Sequence, residues 1–140
     1  MSEYDEQNVF ARILRGELPA HRVFEDENVL AVMDLFPQSR GHMLVLPKAA
    51  SRNLLDADPA ALAKAAAYLP RLARALKAAT GADGLRLAQF NEAVAGQTVF
   101  HLHFHLIPVY EGVPPGRPGE NRADDAEAAE LARRIAAALD

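Results

Sequence analysis

Cysteine is absent from the 140 residues. That excludes disulfides, thiolate metal sites and a cysteine nucleophile. Positive charge is not in excess either, because the formal net charge is −4. Such a chain has no general electrostatic attraction to nucleic acid or to an anionic membrane. An anionic ligand would have to find local donors instead. No apolar run approaches the roughly 20 residues of a membrane span. The opening MSEYDEQNVF lacks a basic region followed by an apolar stretch, so no signal peptide is expected and the cytoplasm is the expected location. Internal repeats and low-complexity segments are also missing. What remains is 50% hydrophobic and 24% charged, the composition of one soluble globular domain.

Chemistry concentrates in His101-Leu102-His103-Phe104-His105-Leu106-Ile107-Pro108. In an extended strand successive side chains face opposite ways. Phe100, Leu102, Phe104 and Leu106 are then expected on a buried face. His101, His103 and His105 are expected on the other, with imidazoles about 6.6–7 Å apart. Three of the chain's five histidines in strict alternation suggest a site that handles protons, an anion or a metal. Pro108, lacking an N–H, is expected to end the pairing.

The remaining elements follow from periodicity. Val9, Phe10, Ile13 and Leu14 share one side of a short helix over 8–15, capped by Asp5 or Asn8 and stopped at Gly16. Strands are expected over 21–25 and 29–34, joined by Asp26-Glu27-Asn28. The second is apolar enough to be covered on both faces. Asp34 closes it, as a turn cap or a ligand acceptor, with turn chemistry favouring the cap. Gly41 to Pro47 forms a third strand with His42 at its start. From Asp58-Pro59 a helix runs to about residue 80, burying Leu62, Ala65, Leu69, Leu72 and Leu76 and breaking or kinking at Pro70. Gly84 to Phe90 is a fourth strand, ending at Asn91. The loop from Glu92 to Thr98 offers amide, hydroxyl and backbone donors to an anion. An irregular segment follows Pro108. A last helix over 125–139 starts at a capping box of Asp124 and Glu127, buries Leu131, Ile135 and Leu139, and pairs Glu130 with Arg134. This order indicates an α+β fold with an antiparallel sheet.

The His-x-His-x-His run resembles the signature of the histidine triad (HIT) family. Other landmarks agree with it. Val9-Phe10 to Pro19 resembles the family's opening helix, and Asp34 to Pro47 its Asp-x-x-Pro-x-x-x-Gly-His segment. Asn91-Glu92 and Gly96-Gln97-Thr98 resemble its Asn-Glu pair and Gly-Gln-Ser/Thr loop. The likeness spans about residues 8–110 of a single 1–140 domain, leaving the loop and helix over 111–140 outside it. It implies a HIT-like five-stranded antiparallel sheet packed with helices. It also implies a homodimer whose two sheets join into one of ten strands. The implied activity is cleavage at the α-phosphate of purine nucleoside 5′-phosphate derivatives. His103 would be the nucleophile and form a covalent nucleotidyl-imidazole, His105 and His42 phosphate donors, and His101 an orienting residue. Gly96, Gln97 and Thr98 would meet the phosphate and leaving group. Asn91 would contact sugar or phosphate, and Asp34 would accept the ribose hydroxyls. Val9, Phe10, Ile13, Val32 and Leu35 would line the base pocket. No metal or other cofactor, nucleic acid or membrane enters this reading. Related sequences often carry cysteine near Phe10-Ala11, where zinc could bind, and this chain has none there.

A neutral imidazole held at one nitrogen keeps a lone pair on the other, which suits a nucleophile. Fixed donors aimed at the phosphoryl oxygens can then stabilise developing charge without a metal. Two other readings compete. One is a zinc enzyme using the alternating histidines. The other is a nucleotide-binding module with little turnover. Within the enzyme reading, phosphoramidates and mixed anhydrides compete with dinucleoside polyphosphates; the tail Leu106 to Tyr110 leans to the second class and the remaining landmarks to the first.

Overall fold

The structure is a computed structural model that describes residues 3–140. Five strands form one antiparallel sheet in the order β1-β2-β3-β5-β4. They are β1 Arg22–Glu25, β2 Val29–Met33, β3 Met43–Pro47, β4 Gly84–Ala88 and β5 Phe104–Val109. The helices are α1 Val9–Leu14, α2 Pro59–Ala66, α3 Leu69–Thr80 and α4 Asp125–Ala137.

The pleat divides the core in two. Val29, Ala31 and Met33 of β2 pack with Leu72 and Leu76 of α3 and Leu131 and Ile135 of α4. Leu30 and Val32 point the other way, with Leu44 and Leu46 of β3, onto Phe10 and Ile13 of α1. All five residues of β2 are buried, as a strand covered on both faces requires. The α1 side holds only a six-residue helix, so it leaves open space over the sheet.

Local signals explain the element ends. Asn8 caps α1 by accepting the Ala11 N–H at 2.8 Å. Asp58 caps α2, and the helix breaks at Ala67-Tyr68, just before the first turn of α3, which carries Pro70. In the expected buried stripe, Leu62 and Leu69 are only half-buried. The α4 capping box is one-sided: Asp124 accepts the Glu127 N–H at 2.9 Å, while Glu127 turns to Arg40 at 3.6 Å. The expected Glu130–Arg134 pair is replaced by Glu130–Arg133 at 2.6 Å, a surface contact of little energetic weight.

The histidine strand differs most from its expectation. Regular pairing starts only at Phe104, so His101 and His103 precede β5. Pairing with β3 covers Phe104 to Leu106, whereas β4 pairs from His105 to Val109, straight across Pro108. Pro108 therefore lies inside β5. The segment before β5 is held by other bonds. Leu102 donates its N–H to Ser51 O at 2.9 Å. Phe100 does not share the burial of Leu102 but lies beneath the Arg52 guanidinium, 4.0 Å from its ring centre.

Candidate active site

Register places His105 opposite Leu44, on the sheet face that carries α1. His42 arrives from the turn before β3. Its neighbour Gly41 has φ +92°, and a Cβ there would sit 2.7 Å from Thr80 Cγ2. Only glycine brings the chain past α3 at that point. The result is His42 Nε2 2.9 Å from His105 Nδ1 and 3.3 Å from Asp34 Oδ2.

Hydrogen-bond partners assign each proton. The Gln38 backbone N–H donates to His42 Nδ1 at 3.0 Å. His42 therefore carries its proton on Nε2 and donates it to His105 Nδ1. His105 is left with its proton on Nε2. His103 donates Nδ1–H to the His101 carbonyl at 2.6 Å, which leaves a lone pair on Nε2. His101 donates Nε2–H to Pro47 O at 2.7 Å and accepts the Tyr4 hydroxyl proton on Nδ1 at 2.6 Å.

Burial keeps these rings neutral. It pushes His42, His103 and His105 each down to about 4, and lowers His101 as well. The same desolvation raises Asp34, which otherwise accepts the Phe36 N–H at 2.8 Å. Asp34 and His42 thus meet as carboxylate and neutral ring at ordinary pH, not as an ion pair.

Above His105 lies a cleft of about 420 Å³. Val9, Phe10, Ile13, Val32 and Leu35 line it, with Asp34, Thr98 and His105 at its polar end. His103 is 7% exposed and stands edge-on to Phe10, with ring centres 4.8 Å apart, and 4.9 Å from the His105 ring. These rings are closer than the expected repeat of about 6.6–7 Å in an extended strand, and His103 precedes β5. The His101 ring is fully buried behind them.

His42, expected as a phosphate donor, gives its proton to His105 instead, and neither it nor His103 lines the cleft; three further expected contact residues also stay out of the lining. Gln97 Oε1 accepts from Asn53 Nδ2 at 3.0 Å and Glu92 N at 2.8 Å. Its Nε2 donates to Arg52 O at 2.7 Å and Val99 O at 3.0 Å. Asn91 accepts the Leu54 N–H at 2.9 Å and exchanges bonds with Gln89. Gly96, at φ +107°, turns the chain beneath Phe90. In this conformation Gln97 and Asn91 frame the loop from within. Thr98 alone of the loop faces the cleft with Val99.

The sequence profile of the HIT domain matches residues 15–112. The chain belongs to the HIT family. A solved Hit-like protein of Bartonella henselae shares its fold with TM-score 0.92 and 46% identity, over 99% of this chain and 100% of that one. A Zn-bound histidine triad family protein of Mycobacterium smegmatis matches with TM-score 0.82 and 39% identity, over 95% and 93%. Adenylylsulfatase HINT3 of Arabidopsis thaliana is 39% identical over 100 residues, 71% of this chain and 51% of the relative, so this chain spans about half its length.

The HIT site of this chain also contains a set of metal-type donors. Ligand atoms of Asp34, His42 and His105 lie within 4.8 Å of one another. The protons do not suit a metal, however. A ligand at His42 Nε2 needs a lone pair there, and the Gln38 N–H on Nδ1 forces the proton onto Nε2. As folded, the cluster is a proton-ordered chain and not a metal cage.

Several contacts at the site were not read from the sequence. Tyr4 lies 97 positions from His101 and has no motif of its own. Gln38 acts through its backbone, which side-chain chemistry does not reveal. Glu92, at φ +79°, is held by a bidentate bond to Arg52 and by Asn53. Positive φ at a glutamate leaves no mark in composition.

Proposed function

We propose that this chain is a nucleotide hydrolase or nucleotidyl transferase acting at the α-phosphate of purine nucleoside 5′-phosphate derivatives. His103 is the nucleophile. The observation that carries this reading is its Nδ1–H bond to the His101 carbonyl, which leaves a neutral Nε2 lone pair in a buried ring. Attack by Nε2 on phosphorus forms a P–N bond and breaks the bond to the leaving group, which takes its proton from solvent while His105 Nε2–H holds a phosphoryl or leaving-group oxygen by a hydrogen bond. Water then attacks phosphorus, its oxygen joins the phosphate, its proton goes to solvent, and the broken P–N bond returns its electron pair to His103.

The Gln38–His42–His105 chain fixes the direction of that proton. His105 presents a donor to phosphoryl oxygen, and its Nδ1 is backed by His42, so the ring is held as charge develops. Thr98 supplies a hydroxyl beside it. Asp34 accepts from the ribose diol, since an ionised carboxylate only accepts and two hydroxyls can donate. The apolar walls of Val9, Phe10, Ile13, Val32 and Leu35 take the base by shape and stacking area. Gln97, Asn91 and Gly96 serve by keeping the loop's position. His101 orients His103 through its carbonyl.

Phosphoramidates and mixed anhydrides are the proposed substrates, with dinucleoside polyphosphates as the competing class. The name of the Arabidopsis relative adds adenosine 5′-phosphosulfate, itself a mixed anhydride, to the set. A homodimer is part of the proposal. The outer edge of β4 ends the sheet, and Leu87, Phe90 and Val94 near it are exposed. Among the described residues no helix is long and apolar enough to cross a membrane, which accords with a cytoplasmic location.

The test is AMP release from adenosine 5′-phosphoramidate, adenosine 5′-phosphosulfate and diadenosine tetraphosphate, with EDTA present. Metal-independent release lost in His103→Ala supports the reading and ranks the substrate classes. AMP binding without release from any of them transfers the support to a binding module.

A further inference from the structure

Between β5 and α4 the chain runs from 111 to 124 without regular structure. Nearly all of this lies beyond residue 112, where the HIT match ends. We propose that residues 114–123 form a strap that walls the nucleotide cleft, with Pro118 as a specificity-determining residue that contacts the nucleoside moiety. This rests on the nucleotide reading of the cleft and extends it to residues that the family match does not cover.

Placement is the first support. Pro118 and Gly119 line the same cleft as Asp34, Leu35 and Phe36. Further along, Arg122 and Ala123 border a second cavity of about 380 Å³ that also touches Asp34 and His42. The strap therefore passes on both sides of the acceptor proposed for the ribose.

Anchoring is the second. Gly116 donates its N–H to Gln38 O at 2.6 Å, and Ala123 donates to Leu35 O at 2.8 Å. A Cβ on Gly116 would lie 3.3 Å from Gln38 O, so the two backbones are nearly in contact. These bonds clamp the short loop that carries Asp34 at one end and Gln38 at the other. A wall pinned twice is preorganised, and a ligand pays little ordering entropy to use it.

Chemistry is the third. Proline has no N–H and offers an apolar ring, so at 118 it suits a flat base or a sugar edge and not a phosphate. The strap should thus govern affinity for the nucleoside half of a substrate. Inorganic phosphate should be indifferent to it.

The sequence contains no tryptophan, so Pro118→Trp introduces a single fluorescent reporter. Titration with AMP should change its emission saturably, at concentrations matching calorimetric binding. Inorganic phosphate should leave the emission unchanged. In a second variant, Pro118→Asp, AMP affinity should fall at least about tenfold, or 1.4 kcal/mol, with the melting temperature of the wild type retained. The proposal is overturned if wild-type protein binds AMP while Pro118→Trp emission stays flat and Pro118→Asp binds equally well. Should Pro118→Asp not fold, the tryptophan emission decides alone. Absence of AMP binding by the wild-type chain overturns the underlying nucleotide reading instead, before any variant is compared.

Discussion

The Gln38 backbone N–H and His42 Nδ1, 3.0 Å apart, set the protonation of His42 and His105. One peptide donor forces the His42 proton onto Nε2, and the 2.9 Å contact to His105 Nδ1 then places the His105 proton on Nε2 as well. Long-range proton–nitrogen NMR spectra at neutral pH should show His42, His105 and His101 protonated on Nε2 and His103 protonated on Nδ1. A proton on His42 Nδ1 would break the chain of assignments and reopen the cluster to a metal.

pH dependence follows from burial. His42, His103 and His105 are each pushed down to about 4 in the folded protein, below the ordinary 6.5. The unfolded chain therefore binds more protons than the native one as pH falls below about 6.5. Stability contributed by these neutral rings is present above that pH and is lost as pH falls towards about 4, where it levels off. Denaturant titrations across this range should show a falling midpoint. For activity, kcat/KM should stay flat from pH 8 to about pH 6, with its acid limb nearer 4. An acid limb at 6.5 would mean that the nucleophile is not desolvated.

Asp34 offers a substrate test. Asp34→Ala should weaken AMP more than 2′-deoxy-AMP, by about tenfold in the ratio, corresponding to 1.4 kcal/mol. Calorimetry with both nucleotides checks it. Equal weakening would assign Asp34 to the histidine cluster or to its Phe36 N–H bond, and not to the sugar.

Gln97 should behave as a structural residue. Its amide makes four hydrogen bonds and is 3% exposed. Gln97→Ala leaves several buried partners unpaired, at about 1–3 kcal/mol for each group that finds no water. Thermal unfolding should show a clear drop in melting temperature. Gln97→Glu should also destabilise, because a carboxylate cannot donate to Arg52 O and Val99 O. Reduced turnover with unchanged stability would instead return Gln97 to the phosphate.

The strands and helices were legible because their signals are local. Unbroken apolar runs mark β2 and β3, Asp58-Pro59 opens α2, and Pro70 marks the first turn of α3. Asp34, His42 and His105 were singled out through the family resemblance, since turn chemistry alone favoured a cap at Asp34, and the same resemblance assigned the apolar wall to the base. Other features were hidden for identifiable reasons. Alternating His101 and His103 read as strand, yet this segment is held by the Leu102 N–H bond to Ser51 O and by the His101 ring's bond to Pro47 O, which no local pattern announces. Asn91 and Gln97 read as exposed loop donors. The inward turn of Gln97 depends on Arg52, Asn53 and Glu92, and Asn91 is held by Leu54 and Gln89. Tyr4 and Pro118 reach the site only through the tertiary fold.

The most direct measurement is trapping the intermediate. Enzyme mixed with adenosine 5′-phosphoramidate and quenched within one turnover under denaturing conditions that spare a P–N bond would be digested and analysed by mass spectrometry. One adenylyl group is expected, located on His103 and absent from His103→Ala, which should still fold and bind AMP. Turnover without a label on His103, or turnover that survives His103→Ala, would contradict a covalent step at His103.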